Sequence, residues 1–110
     1  MGVEEGERIL IVSGSPRRRQ LIQAGLGVAG YTALVSPTVE GVLAQIKAQK
    51  PRLVILDIPF PGEDGYSFCA QIKGDPTLAR TLVLALTPPD RQALGHALKA
   101  GADDGLSKPL

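Results

Sequence analysis

One cysteine, one histidine and no tryptophan occur among 110 residues. A single cysteine excludes a disulfide framework and a cysteine-based zinc site. A single histidine makes a His-rich metal site or a Ser-His-Asp triad hard to build. Aromatic residues make up 4%, too few for the base-stacking platforms that grip single-stranded nucleic acid. Neither sign of charge dominates. The net charge of +1 gives no field to draw nucleic acid or an anionic membrane. No apolar run approaches the roughly 18 residues that span a bilayer. The opening MGVEEGER is acidic and lacks the basic-then-apolar plan of a signal peptide. These absences leave a cytoplasmic domain as the expectation.

What is present suits one α/β domain over residues 1–110. The chain is 44% hydrophobic, enough for one core at this length. Three short aliphatic runs stand out: Ile9–Val12, Leu53–Leu56 and Leu82–Leu86. Continuous apolar runs of this length suit strands buried on both faces of a parallel sheet. Tyr31–Ser36 mixes polar with apolar residues, as an edge strand does, and Gly105–Ser107 is a weaker fifth strand. Helical stripes lie between them. They are Leu21, Ile22, Gly25, Leu26 and Ala29; Val39, Val42, Leu43 and Ile46; Phe68, Cys69 and Ile72; and Leu94, Ala97, Leu98 and Gly101. Thr38 and Asp90 are candidate N-caps, and Gly101 stands where a helix-ending glycine belongs. The alternation predicts a parallel sheet covered by helices.

In an open α/β sheet, ligands gather at the carboxyl ends of the strands. Those ends carry Ser13, Gly14 and Ser15 after the first strand and Asp57 after the third. Thr87 follows the fourth, and Lys108-Pro109 follows the fifth. A carboxylate there can act as a nucleophile, and an ammonium and a hydroxyl can bind a transferred phosphoryl group.

The segment LVILDIPFPGEDG resembles the phosphoacceptor segment of response-regulator receiver domains, and TLVLALT and ALKAGADDGLSKP resemble that family's fourth strand and last helix–strand segment. The resemblance covers nearly the whole chain. It implies a doubly wound, flavodoxin-like sheet of order 2-1-3-4-5. It implies Asp57 as acceptor of phosphate from a histidine kinase, Lys108 and Thr87 as phosphoryl ligands, and a Lys108–Pro109 bond that is often cis. It also implies a fifth helix after Leu110; without one, either the sequence is a fragment of a longer chain or a partner covers that sheet face. The expected partners are a histidine kinase, a downstream effector, a fused domain or a second copy. No enzymatic activity of its own is expected.

Several positions depart from the family's pattern. Ser13 and Gly14 replace the acidic pair that holds Mg²⁺. The ion typically needs one or two carboxylates beside phosphate oxygens, so only a weak site at Asp57 is expected. Pro59 and Pro88 stand where amides would point at the phosphoryl group, and proline has no N–H. One lost donor costs on the order of 3 kcal/mol of transition-state stabilisation. Gly105 stands where an aromatic switch residue is usual. The favoured reading is therefore a degenerate, pseudo-receiver module that is impaired in Mg-dependent phosphorylation, needs no cofactor and acts through protein contacts. Asp57 is then chiefly an ionised partner of Lys108. The alternatives are a working phosphoacceptor and a small-ligand-binding α/β domain.

Other features favour ordinary roles. Gly25-Leu-Gly27-Val-Ala-Gly30 spells a dinucleotide fingerprint, but it closes a helix and precedes a strand, the reverse of the required context. Arg17-Arg18-Arg19 reads as a solvated basic turn; the sharper reading sends Arg17 or Arg18 to Asp57 in place of the missing metal charge. Cys69 reads as a small core hydrophobe and His96 as exposed. Glu63, Asp64, Asp103 and Asp104 read as turn acids.

Overall fold

The computed structural model describes residues 7–59 and 64–109. Glu63 and the middle of the PFPGE turn lie outside them, as do residues 1–6 and Leu110. Five parallel strands form one sheet, as the pattern predicts, in the order β2-β1-β3-β4-β5 that the resemblance implies. They are β1 (Arg8–Val12), β2 (Thr32–Ser36), β3 (Leu53–Asp57), β4 (Leu82–Thr87) and β5 (Asp104–Ser107). Four helices connect them: α1 (Pro16–Val28), α2 (Val42–Gln49), α3 (Gly65–Gly74) and α4 (Arg91–Lys99). A 3₁₀ turn, Pro76–Leu78, precedes β4.

The aliphatic runs become the three central strands, because only a strand with neighbours on both edges and helices on both faces can bury every residue. Side chains alternate between faces. Leu10, Val12, Val54, Leu56, Val83 and Ala85 point toward α2, α3 and α4 and form the main core with Val42, Ile46, Phe68, Cys69 and Ile72. Ile9, Ile55 and Leu86 point the other way, where Ile22 and Leu26 of α1 meet them. The second face is thinly covered. No residue of α1 is fully buried, and Leu21 is 63% exposed. The five-residue stripe expected for this helix therefore reduces to Ile22 and Leu26.

Helix ends are set by short polar side chains. Ser15, Asp64 and Asp90 cap α1, α3 and α4 by accepting backbone N–H groups. Asp64 is thus a cap rather than a free turn acid. Thr38 caps no helix: α2 starts at Val42 behind Gly41, which adopts a left-handed φ of 74°. Gly101, at φ 107°, closes α4 in a Schellman motif, with Ala102 N–H reaching Ala97 O and Gly101 N–H reaching Leu98 O. The α4 core residues are Ala93 and Ala97, and Leu98 is 47% exposed. Asp103 is more than a turn residue: one carboxylate oxygen accepts both Lys73 Nζ and Val83 N–H, each at 2.8 Å. Cys69 is buried and His96 is exposed, as expected.

Candidate functional site

Parallel register brings the ends of β1, β3 and β4 level, because Val12 pairs with Leu56 and Asp57 with Leu86. The next residues of β1 and β4, Ser13 and Thr87, are both fully buried, and Asp57 is 2% exposed. Ser13 continues the pairing through Ser13 N–H to Ser36 O at 3.1 Å. Lys108 is fixed by its own N–H to Thr87 O at 2.8 Å. Both Lys108–Pro109 and Ile58–Pro59 are cis.

Asp57 is held from two sides. Lys108 Nζ donates to Asp57 Oδ1 at 2.7 Å and also to Ile58 O at 2.7 Å. Ser13 Oγ donates to Asp57 Oδ2 at 2.6 Å, and Arg18 Nε donates to the same oxygen at 2.7 Å. Burial alone would raise the pKa of this carboxyl. The hydrogen bonds from Lys108, Ser13 and Arg18, together with the Lys108 charge, outweigh it and hold the group below the ordinary value of 3.8. Asp57 is therefore ionised at neutral pH.

The basic turn is not simply solvated, which corrects the ordinary reading. The Ser15 hydroxyl accepts Arg18 N–H at 3.2 Å, and Ser15 N–H reaches Ser13 Oγ at 3.1 Å. That local geometry starts α1 at Pro16 and sends Arg18 over the crevice. Arg19 Nη1 bonds Ser13 O at 2.6 Å, while Arg17 is exposed. Cations in a helix's first turn oppose the macrodipole. The buried carboxylate facing Arg18 and the carbonyl facing Arg19 offset that cost. Arg19 was invisible from sequence. The signal for Arg18 was the coincidence of missing acids at 13 and 14 with arginines one turn later.

The described residues offer few oxygen donors to a divalent cation here. Asp57 is the one carboxylate that the described residues bring to this crevice, and both its oxygens already accept from cations. Ser13 adds a hydroxyl, and Gly14, exposed, adds no side chain. Among the described residues no three of His, Cys, Asp or Glu gather. Thr87 Oγ1 lies 3.5 Å from Leu106 O, at the limit of a hydrogen bond. Pro59 and Pro88 flank the crevice without amide hydrogens. At Gly105 an added Cβ would collide with the Leu94 side chain. Leu94 of α4 therefore fills the space beside Gly105, another role the sequence did not reveal.

Known proteins share this plan. The chain is 36% identical over 111 residues to the "DNA-binding dual master transcriptional regulator RpaA" of Synechocystis sp., covering 94% of this chain and 43% of that protein. It is 35% identical over 107 residues to the "Response regulator PleD" of Caulobacter vibrioides, covering 94% of this chain and 23% of that protein. The chain thus spans less than half the length of these curated relatives. A crystal structure of a response regulator from Chloroflexus aurantiacus superposes with a TM-score of 0.89 at 31% identity, covering 96% of this chain and 87% of that one. Residues 9–110 match the response regulator receiver domain, and the chain belongs to that family of two-component signalling modules.

Proposed function

We propose that this receiver domain works as a regulatory module whose Asp57 is neutralised internally, so that Mg-dependent phosphorylation is impaired and signalling runs through protein contacts. The observation that carries the reading is the Arg18–Asp57–Lys108 cluster, with 2.7 Å contacts on both carboxylate oxygens. An oxygen already engaged by a guanidinium and a hydroxyl is a poor ligand for a hydrated divalent ion. The prolines at 59 and 88 remove two backbone donors that would otherwise stabilise a transferring phosphoryl group. Its partners under this reading are a kinase, an effector or a domain within a longer chain.

The direct test is incubation with acetyl phosphate and Mg²⁺, followed by intact-protein mass. The expected result is no phosphate-mass adduct above that of the Asp57→Asn variant. A stoichiometric adduct that disappears in Asp57→Asn would overturn the proposal and support the second reading. In that reading an Asp57 oxygen attacks the donor phosphorus, the donor's bond to phosphorus breaks, and Lys108 and Thr87 hold the phosphoryl group. The Lys108–Asp57 contact and the membership of ordinary response regulators among the relatives favour it.

A further inference from the structure

A second charged site lies at the opposite end of the sheet, where the strands begin. The cleft there, about 1490 Å³, is lined by the start of β1, the end of α2, the 3₁₀ turn and the residues leading into β3 and β4. Five cations from these segments face it: Arg8, Lys47, Lys50, Arg52 and Arg80, against Glu7 as the lining acid. The whole chain carries only +1, so charge is strongly segregated here. Lys47 and Lys50 gain from the C-terminus of α2, and Arg8 Nη1 donates to the last carbonyl of that helix, Gln49 O, at 3.1 Å, but that accounts for neither Arg52 nor Arg80. Arg52 pairs with Glu7 at 3.2 Å, and Lys47 with Asp75 at 3.3 Å. Lys50 and Arg80 are exposed and make no ion pair among the described residues. Ile46 and Leu78 back the cleft as buried core residues, and the apolar side chain it presents to solvent is Leu82, 44% exposed.

We propose that this cleft docks an acidic protein segment carrying an aliphatic side chain, supplied by a partner protein. Charge complementarity selects the acids, and half-exposed Leu82 at the rim of the cleft selects an apolar anchor among them. The cleft exceeds the roughly 300–1,000 Å³ of small-molecule pockets, which suits a length of chain. No aromatic residue lines it, so it offers no stacking surface for bases. The site is independent of Asp57, and its test can fail or succeed whatever the phosphodonor experiment returns.

The probe is a synthetic twelve-residue peptide of glutamates with leucine at every fourth position, titrated into the ¹⁵N-labelled chain at 0.15 M salt, where loose surface attraction is largely screened. Saturable amide shifts are expected around Lys50, Arg52, Arg80 and Leu82. Affinity should fall at least tenfold in Lys50→Glu/Arg80→Glu and by less in Lys50→Ser/Arg80→Ser, with circular dichroism confirming that both remain folded. Replacing the probe's leucines by serine should also weaken binding. The proposal fails if no shifts appear, if they map to Arg17–Arg19, or if the charge reversal leaves affinity unchanged. It fails equally if a twelve-nucleotide oligothymidine binds the cleft as tightly, or if the chain alone dimerises through these residues.

Discussion

At the scale of single residues, the buried Asp57 carboxylate ties the crevice to the acid stability of the domain. Its carboxyl is held below 3.8 in the folded state. A depressed folded pKa contributes stability that is present above the unfolded value and is lost as pH falls through the folded one. Urea titrations should therefore show stability dropping as pH falls from about 4 toward the lower folded value, and Asp57→Asn should flatten that part of the profile. Arg18 contributes less than Lys108, because its side chain is 38% exposed against 12%, and solvent screens an exposed partner. Arg18→Ala should shift the acid limb to higher pH and cost about 1 kcal/mol at neutral pH. An unchanged acid limb in Arg18→Ala would show that the guanidinium is a bystander.

At the scale of elements, α4 and β5 are fitted to each other through an absence. Gly105 leaves space that Leu94 enters. A larger side chain at this position would have to displace Leu94. Gly105→Ala should destabilise by about 1–3 kcal/mol through overpacking. Adding Leu94→Ala should recover part of that loss, because contacting residues are non-additive. Simple additivity in the double variant, read from urea midpoints, would contradict the contact. The left-handed closure at Gly101 fixes the same helix at its other end, beside Lys73.

At the scale of the whole molecule, the two sheet faces are unequal. Among the described residues, three helices close over the main core, whereas α1 is the helix that lies on the other face. Leu82, at 44%, and Leu106, at 51% exposed, belong to that side, since Leu86 of its core is flanked by Leu84 along β4 and by Leu106 across to β5. Exposed apolar surface of this kind binds hydrophobic dyes. The folded 110 residues should enhance the fluorescence of an anilinonaphthalene dye, and Leu106→Gln with Leu84→Gln should lower it. Equal enhancement by wild type and variant would place the dye elsewhere. The described helices include none long and apolar enough to cross a membrane.

Much of this was legible in the sequence. Continuous aliphatic runs suit strands buried on both faces of a parallel sheet, so β1, β3 and β4 were legible as strands from pattern, whereas their order in the sheet came from the family resemblance. The convergence of Asp57, Thr87 and Lys108 followed as well, because strand ends in a parallel sheet lie at one edge. What the sequence misplaced were contacts that depend on direction. Leu21 and Leu98 fit a helical stripe yet face solvent, because the helices are turned so that Ile22 and Leu26 of α1 and Ala93 and Ala97 of α4 meet the sheet instead. Thr38 has the chemistry of a cap but lies four residues before the helix. Arg18 is the clearest case: three adjacent arginines look alike in a sequence, and only the rotation of α1 above Asp57 chooses which one reaches the carboxylate. Composition and periodicity fixed the architecture, because they act through averages over many residues. The choice of a guanidinium as Asp57's second cation was tertiary, because a 2.7 Å contact depends on where two distant segments are set relative to each other.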